Sequence, residues 1–106
     1  MTMTTIDSGT QARMAPIVSK VLELYGLPAE QGLPRGKQRA AVEARSMCCW
    51  LARQLGIVAT LAEISTAVGL GRPAAVLECE QRMELLRKRD RWALENSDRL
   101  LQELRA

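Results

Sequence analysis

Apolar positions recur at intervals of three and four along most of this chain, the spacing of helices with one buried side. In "PIVSKVLELYG" the stripe is Ile17, Val21, Leu22 and Leu24, with Pro16 to open it and Gly26 to stop it. "LPAEQGLPRG" follows, where Pro28, Gly32, Pro34 and Gly36 predict a loop with one helical turn inside it. A long helix is predicted over 37–55 from Val42, Met47, Cys48, Leu51, Ala52 and Leu55, closed by Gly56. Thr60 and Glu63 form a capping box for a short helix, Leu61 to Val68. Gly69 then supplies a sharp turn, and Pro73 suits the first turn of a fourth helix. Val76, Leu77, Cys79, Met83 and Leu86 are its expected buried side. After the charges of "RKRDRW", Asn96 or Ser97 can cap a last helix, 98–105, with Leu100, Leu101 and Leu104 inward. Residues 1–15 are polar and without period, a disordered lead-in. The prediction is an all-α fold: a compact bundle of five to six helices in residues 16–106.

Composition narrows this further. A chain of 106 residues holds one small domain. Aromatic residues make up 3% with no Phe, so the core must come from Leu, Val, Ile, Ala and Met, which favours helices over sheet. The net charge of +3 is unevenly spread. Residues 1–59 carry seven Lys/Arg against four Asp/Glu, while residues 60–106 carry eight of each. The excess concentrates in Arg35, Lys37, Arg39, Arg45 and Arg53. Cys48, Cys49 and Cys79 have neither disulfide-framework nor zinc spacing, and read as small core residues of a reduced protein. No stretch approaches a membrane span and no signal peptide is visible, so a cytoplasmic location is expected.

Catalysis has little to stand on. The chain has no histidine and no GxSxG, P-loop or HExxH pattern, so no catalytic residue, metal or cofactor is expected. Glu80 and Glu84 stand one turn apart with Arg87 and Lys88 following, the spacing of a solvated face. Trp50 and Trp92 read as core or rim residues, each without an aromatic neighbour other than distant Tyr25. "LAEISTAVGLGRPAAVLECEQRM" has the outline of a helix-turn-helix, with Ile64, Val68, Leu70, Val76 and Leu77 as its internal supports. A packing hairpin has the same outline. "PRGKQRAAVEAR" is a basic segment at a helix start, suited to a phosphate backbone and equally to a solvated surface.

From Ile17 to about Leu86 the chain resembles the C-terminal DNA-binding domain of the DnaA replication-initiator family. "IVSKVLELYGL" looks like its opening helix, "VEARSMCCWLARQL" like its long helix, and "TLAEISTAVG" like its "SLPEIGxxFG". "VLECEQRMELL" is similar to "VLHAxxKIxxL". DnaA-like tails of transposases that act on repeated palindromic elements are comparably similar. The resemblance implies a Trp-repressor-like fold that binds double-stranded DNA; 106 residues leave no room for that family's ATPase module. It implies a minor-groove contact from Lys37, a backbone contact from Arg45 and a reading-helix cation in Arg82. The family signature "GGRDHTTV" is here "GLGRPAAV", so Arg72, Pro73, Ala74 and Ala75 replace its base-contacting Asp, His, Thr and Thr. Proline cannot donate and alanine offers only a methyl group, which removes most direct base reading. The expectation is a small DNA-binding protein of weak or altered sequence preference. Lys37, Arg39, Arg45, Arg53 and Arg82 would meet phosphates, and Arg72 is the candidate reader. The alternative is a protein-interaction module that keeps the fold, with Glu78, Glu80 and Glu84 repelling DNA and the C-terminal helix offering a partner or self-association surface.

Overall fold

A computed structural model describes residues 8–106. It contains five α-helices and no strand among those residues: α1 (Ser8–Leu24), α2 (Arg39–Leu55), α3 (Leu61–Val68), α4 (Ala74–Arg89) and α5 (Arg91–Arg105). A single 3₁₀ turn, Ala29–Gln31, lies in the loop before α2, where one helical turn was expected.

The hub is α2. Residues 46–52 are buried without a break, so this helix is covered on all sides. The other helices supply its cover: Met14, Ile17 and Val21 from α1, Ile64 and Val68 from α3, Val76, Cys79 and Met83 from α4, and Leu100 from α5. Without phenylalanine, three methionines and Trp50 provide the bulk, and unbranched methionine suits the irregular space between four converging helices.

Helix ends are where the local chemistry is plainest. Helices α1, α2 and α3 each stop at a glycine with positive φ, Gly26, Gly56 and Gly69. The residue after each glycine, Leu27, Ile57 or Leu70, donates its backbone N–H back to Leu22, Ala52 or Ser65 respectively. This closure satisfies carbonyls that a helix end leaves open, and it tucks an apolar side chain under the last turn. The capping box on α3 is present in both directions: Glu63 N–H to Thr60 Oγ1 at 3.1 Å, and Thr60 N–H to Glu63 Oε1 at 2.8 Å.

Two helix starts differ from expectation. Residues 8–15, expected to be disordered, are the opening of α1, and Pro16 lies inside that helix instead of at its head. Pro16 removes one backbone hydrogen bond; burial of Thr10 and Met14 against the core offsets that loss. Residues 1–7 lie outside the described residues. The last helix begins at Arg91 and not at Asp98. Asp90, extended at φ −132°, accepts from Ala93 N–H at 3.3 Å and caps α5 one residue after α4 ends. Ser97, an expected cap, is buried within α5.

No helix among the described residues is long and apolar enough to cross a membrane.

Candidate nucleic-acid interface

Helices α3 and α4 pack against each other across a tight turn, residues 69–73. Gly69 sits at φ +86°, a conformation that side-chain-bearing residues adopt only under strain. The turn is fixed from inside: the Ser65 hydroxyl, almost fully buried, lies 3.3 Å from the Leu70 carbonyl and 3.0 Å from that of Arg72. Ile64, Val68 and Val76 are buried between the helices as expected. Leu77 is not; it is 40% exposed and points outward with Leu85, 59% exposed. These two lie on the side of α4 opposite Val76, Cys79 and Met83, together with Ala74, Gln81 and Lys88.

The six cations singled out by sequence have different fates. Arg72 forms a two-pronged pair with Glu78, at 3.1 and 3.0 Å, which occupies the expected reader. Both side chains are more than half exposed, so releasing Arg72 costs under about 1 kcal/mol. Arg53 pairs with Glu80 at 3.2 Å, and Arg39 with Glu43 at 2.8 Å. Arg45 turns inward along the loop and donates to the carbonyls of Pro34 (2.7 Å) and Gly36 (2.8 Å). It holds the loop that carries Lys37, a scaffolding role beside the backbone contact the resemblance implied. Among the described residues Arg82 bonds only Ser46 Oγ at 3.5 Å and Cys79 Sγ at 3.9 Å. Lys37 makes no ion pair among the described residues.

Sorting every described cation by partner brings out what residue types alone conceal. Seven of the fifteen, Lys20, Arg39, Arg53, Arg72, Arg87, Arg91 and Arg99, are paired with a carboxylate among the described residues. Arg45 and Arg105 bond backbone carbonyls instead, while Arg35, Lys37, Arg82, Lys88 and Arg89, on the loop before α2 or the second half of α4, have no carboxylate partner among the described residues. Lys37, Arg39, Arg82 and Arg89 line one open groove of about 250 Å³ together with Glu43, Val42 and Leu86. Lys88 and Arg89 are not among the six cations that the sequence singles out. Asp90, next in the chain, uses one oxygen to cap α5 and forms no ion pair with either cation among the described residues.

The acidic face expected on α4 is also reassigned. Glu84 accepts from Trp50 Nε1 at 2.8 Å, and Arg87 lies 4.3 Å over the same indole ring. Arg87 also donates to Ser97 and, at 2.8 Å, to Asp98. Glu84 and Arg87 therefore join α2, α4 and α5. Tyr25 and Trp92, distant in sequence, meet edge to face with centroids 5.4 Å apart.

All three cysteines are buried. Cys49 of α2 hydrogen-bonds to Cys79 of α4, and the two thiols diverge as a result. That bond, with help from Ser46 and the positive charge of Arg82 and Arg45, brings Cys79 down to about 6, against burial. Cys49 is pushed up as the donor and by burial, and Cys48 by burial above all. Alkylation by iodoacetamide should therefore be confined to Cys79, 5% exposed, and be slow. Because the thiolate form is favoured, its rate should rise through a midpoint near pH 6. A midpoint at ordinary thiol values, about 8.5, would contradict the pairing.

No protein-family model matches this sequence, and no curated protein matches it. Among the described residues, no three Cys, Asp or Glu side chains come together as a metal site.

Proposed function

We propose that this is a duplex-DNA-binding protein that grips the phosphate backbone and reads sequence weakly. The observation that supports it is the meeting of Lys37, Arg82 and Arg89, none with a carboxylate partner among the described residues, at one groove. Ion-paired surface cations are already neutralised, whereas Arg35, Lys37, Arg82, Lys88 and Arg89 bring full charges to a polyanion. The resemblance to the DnaA C-terminal domain and the DnaA-like transposase tails points the same way. The outward side of α4 presents Ala74, Leu77, Gln81 and Leu85, which offer methyl contacts and one amide to base edges. The reading is non-enzymatic.

The test is a titration of mixed-sequence duplex at several salt concentrations. Five phosphate contacts give a slope of log K against log salt of roughly −4 to −5. Absence of binding at low salt and high micromolar protein would overturn the proposal. Arg45→Ala separates scaffold from contact. It should weaken binding several-fold by loosening the Lys37 loop, while leaving the slope within about half a unit. A slope reduced by about one would make Arg45 a phosphate contact instead.

A second reading, a protein-interaction module, has support from exposed Leu77 and Leu85. The acidic residues speak for it less than the sequence suggested, since Glu78, Glu80 and Glu84 each have a partner within the chain.

A further inference from the structure

The cationic groove has a neighbour of different chemistry. A second open groove, about 430 Å³, is lined by Tyr25, Arg39, Ala40, Glu43, Asp90 and Trp92. The two share Arg39 and Glu43, whose ion pair forms the wall between them. They also meet along the chain: Arg89 ends α4 on the cationic side, Asp90 is the joint, and Trp92 stands in the first turn of α5 on the aromatic side.

From this juxtaposition we propose a site for an unpaired nucleotide, its phosphates on Lys37, Arg82 and Arg89 and its base against Trp92 and Tyr25. The inference rests on the DNA-binding reading and extends it from duplex to strand ends. Trp92 is 44% exposed although it already touches Tyr25, an unusual exposure for the largest apolar side chain. Aromatic rings beside a basic track are the common means of holding single strands, because every base has a face to stack. The carboxylates add a preference. Asp90 Oδ1 accepts from the Ala93 N–H alone among the described residues, leaving its other oxygen for a donor. Glu43 takes bonds from Arg39 and Tyr25. A base with an exocyclic amine, cytosine above all, suits an acceptor there. A free cation is a poor occupant, since Arg39 already balances Glu43. A paired base is excluded by geometry, because its faces are covered within the duplex stack.

The experiment is fluorescence and binding on the full chain, with three probes. These are a blunt mixed-sequence duplex, the same duplex with a short cytosine-rich single-stranded extension, and cytidine monophosphate. The extension should tighten binding roughly tenfold over the blunt duplex and quench the emission of exposed Trp92, while buried Trp50 is insulated. Trp92→Ala should erase the tenfold gain and keep blunt-duplex affinity. Trp92→Phe, which preserves a stacking ring, should retain most of the gain and guards against a folding defect. Quenching by the monophosphate to the same extent as by the extension would identify a free-nucleotide site of the same chemistry. Binding of the extension without binding of blunt duplex would support this site and overturn the duplex reading. Equal affinity for blunt and extended duplexes, with no quenching by any probe, would overturn the site and leave the duplex reading intact.

Discussion

Trp50→Ala is expected to lower the free energy of unfolding by about 3–5 kcal/mol, the usual cost of truncating a buried aromatic. Trp50 is 3% exposed in the middle of α2, and the helix around it is buried on every side. Truncation opens a void that α4 and α5 cannot close without leaving their other contacts. It also takes the donor from Glu84 and the ring from beneath Arg87, the two side chains that join three helices. Small domains have only about 5–15 kcal/mol in total, so a large share would be lost. Trp50→Phe keeps a ring and removes the N–H; it should cost closer to about 1 kcal/mol. Urea denaturation followed by circular dichroism measures both. A loss below about 1 kcal/mol for the alanine variant would show that the junction is not a central support.

The second large effect concerns binding. The double charge reversal Lys37→Glu with Arg82→Glu is expected to weaken duplex binding roughly 50- to 100-fold at 0.1 M salt and to reduce the salt slope by about two. Each lost phosphate contact removes about 0.9 from the slope, hence nearly a factor of ten in affinity for each decade of salt below 1 M. The matched control is Arg105→Glu. Arg105 also lacks a carboxylate partner among the described residues, but it bonds the Gln54 carbonyl at the opposite end of α2. Gln54 and Arg39, the first residue of α2 beside Lys37, are fifteen positions apart, about 22 Å along the helix. The control should move affinity less than about threefold. Equal losses for both variants would reduce the proposed interface to net charge, and no loss for either would favour the protein-interaction module.

Legibility in the sequence divided by range. Turns and caps are written in adjacent residues, which is why the Thr60–Glu63 box and the glycine stops at 26, 56 and 69 are plain from residue types and spacing alone. The start of α5 is hidden because its first inward residues, Ala93 and Ser97, are small or polar and interrupt the apolar rhythm. The start of α1 is hidden for the same reason, with Thr10 standing at a core position. Leu77 misled in the other direction: an apolar type at helical spacing that the packing of α4 turns outward. At the interface, the positions of the cations were visible but their partners were not. The Arg53–Glu80 pair spans 27 residues and the Trp50–Glu84 bond 34. Only tertiary structure shows which charges have been spent within the molecule and which remain for a partner.

The same lack of internal partners has an entropic consequence. Arg35, Lys37, Lys88 and Arg89, and Arg82 with its long bonds to Ser46 and Cys79, are extended side chains that the proposed binding would have to order. Immobilising each costs about 0.5–1.5 kcal/mol, so five cost roughly 3–7 kcal/mol. Releasing counterions from five phosphates contributes about 6 kcal/mol at 0.1 M salt relative to 1 M. The two nearly cancel near physiological salt. On the proposed reading, such contacts would form and break readily and favour movement along a duplex over long residence at one position.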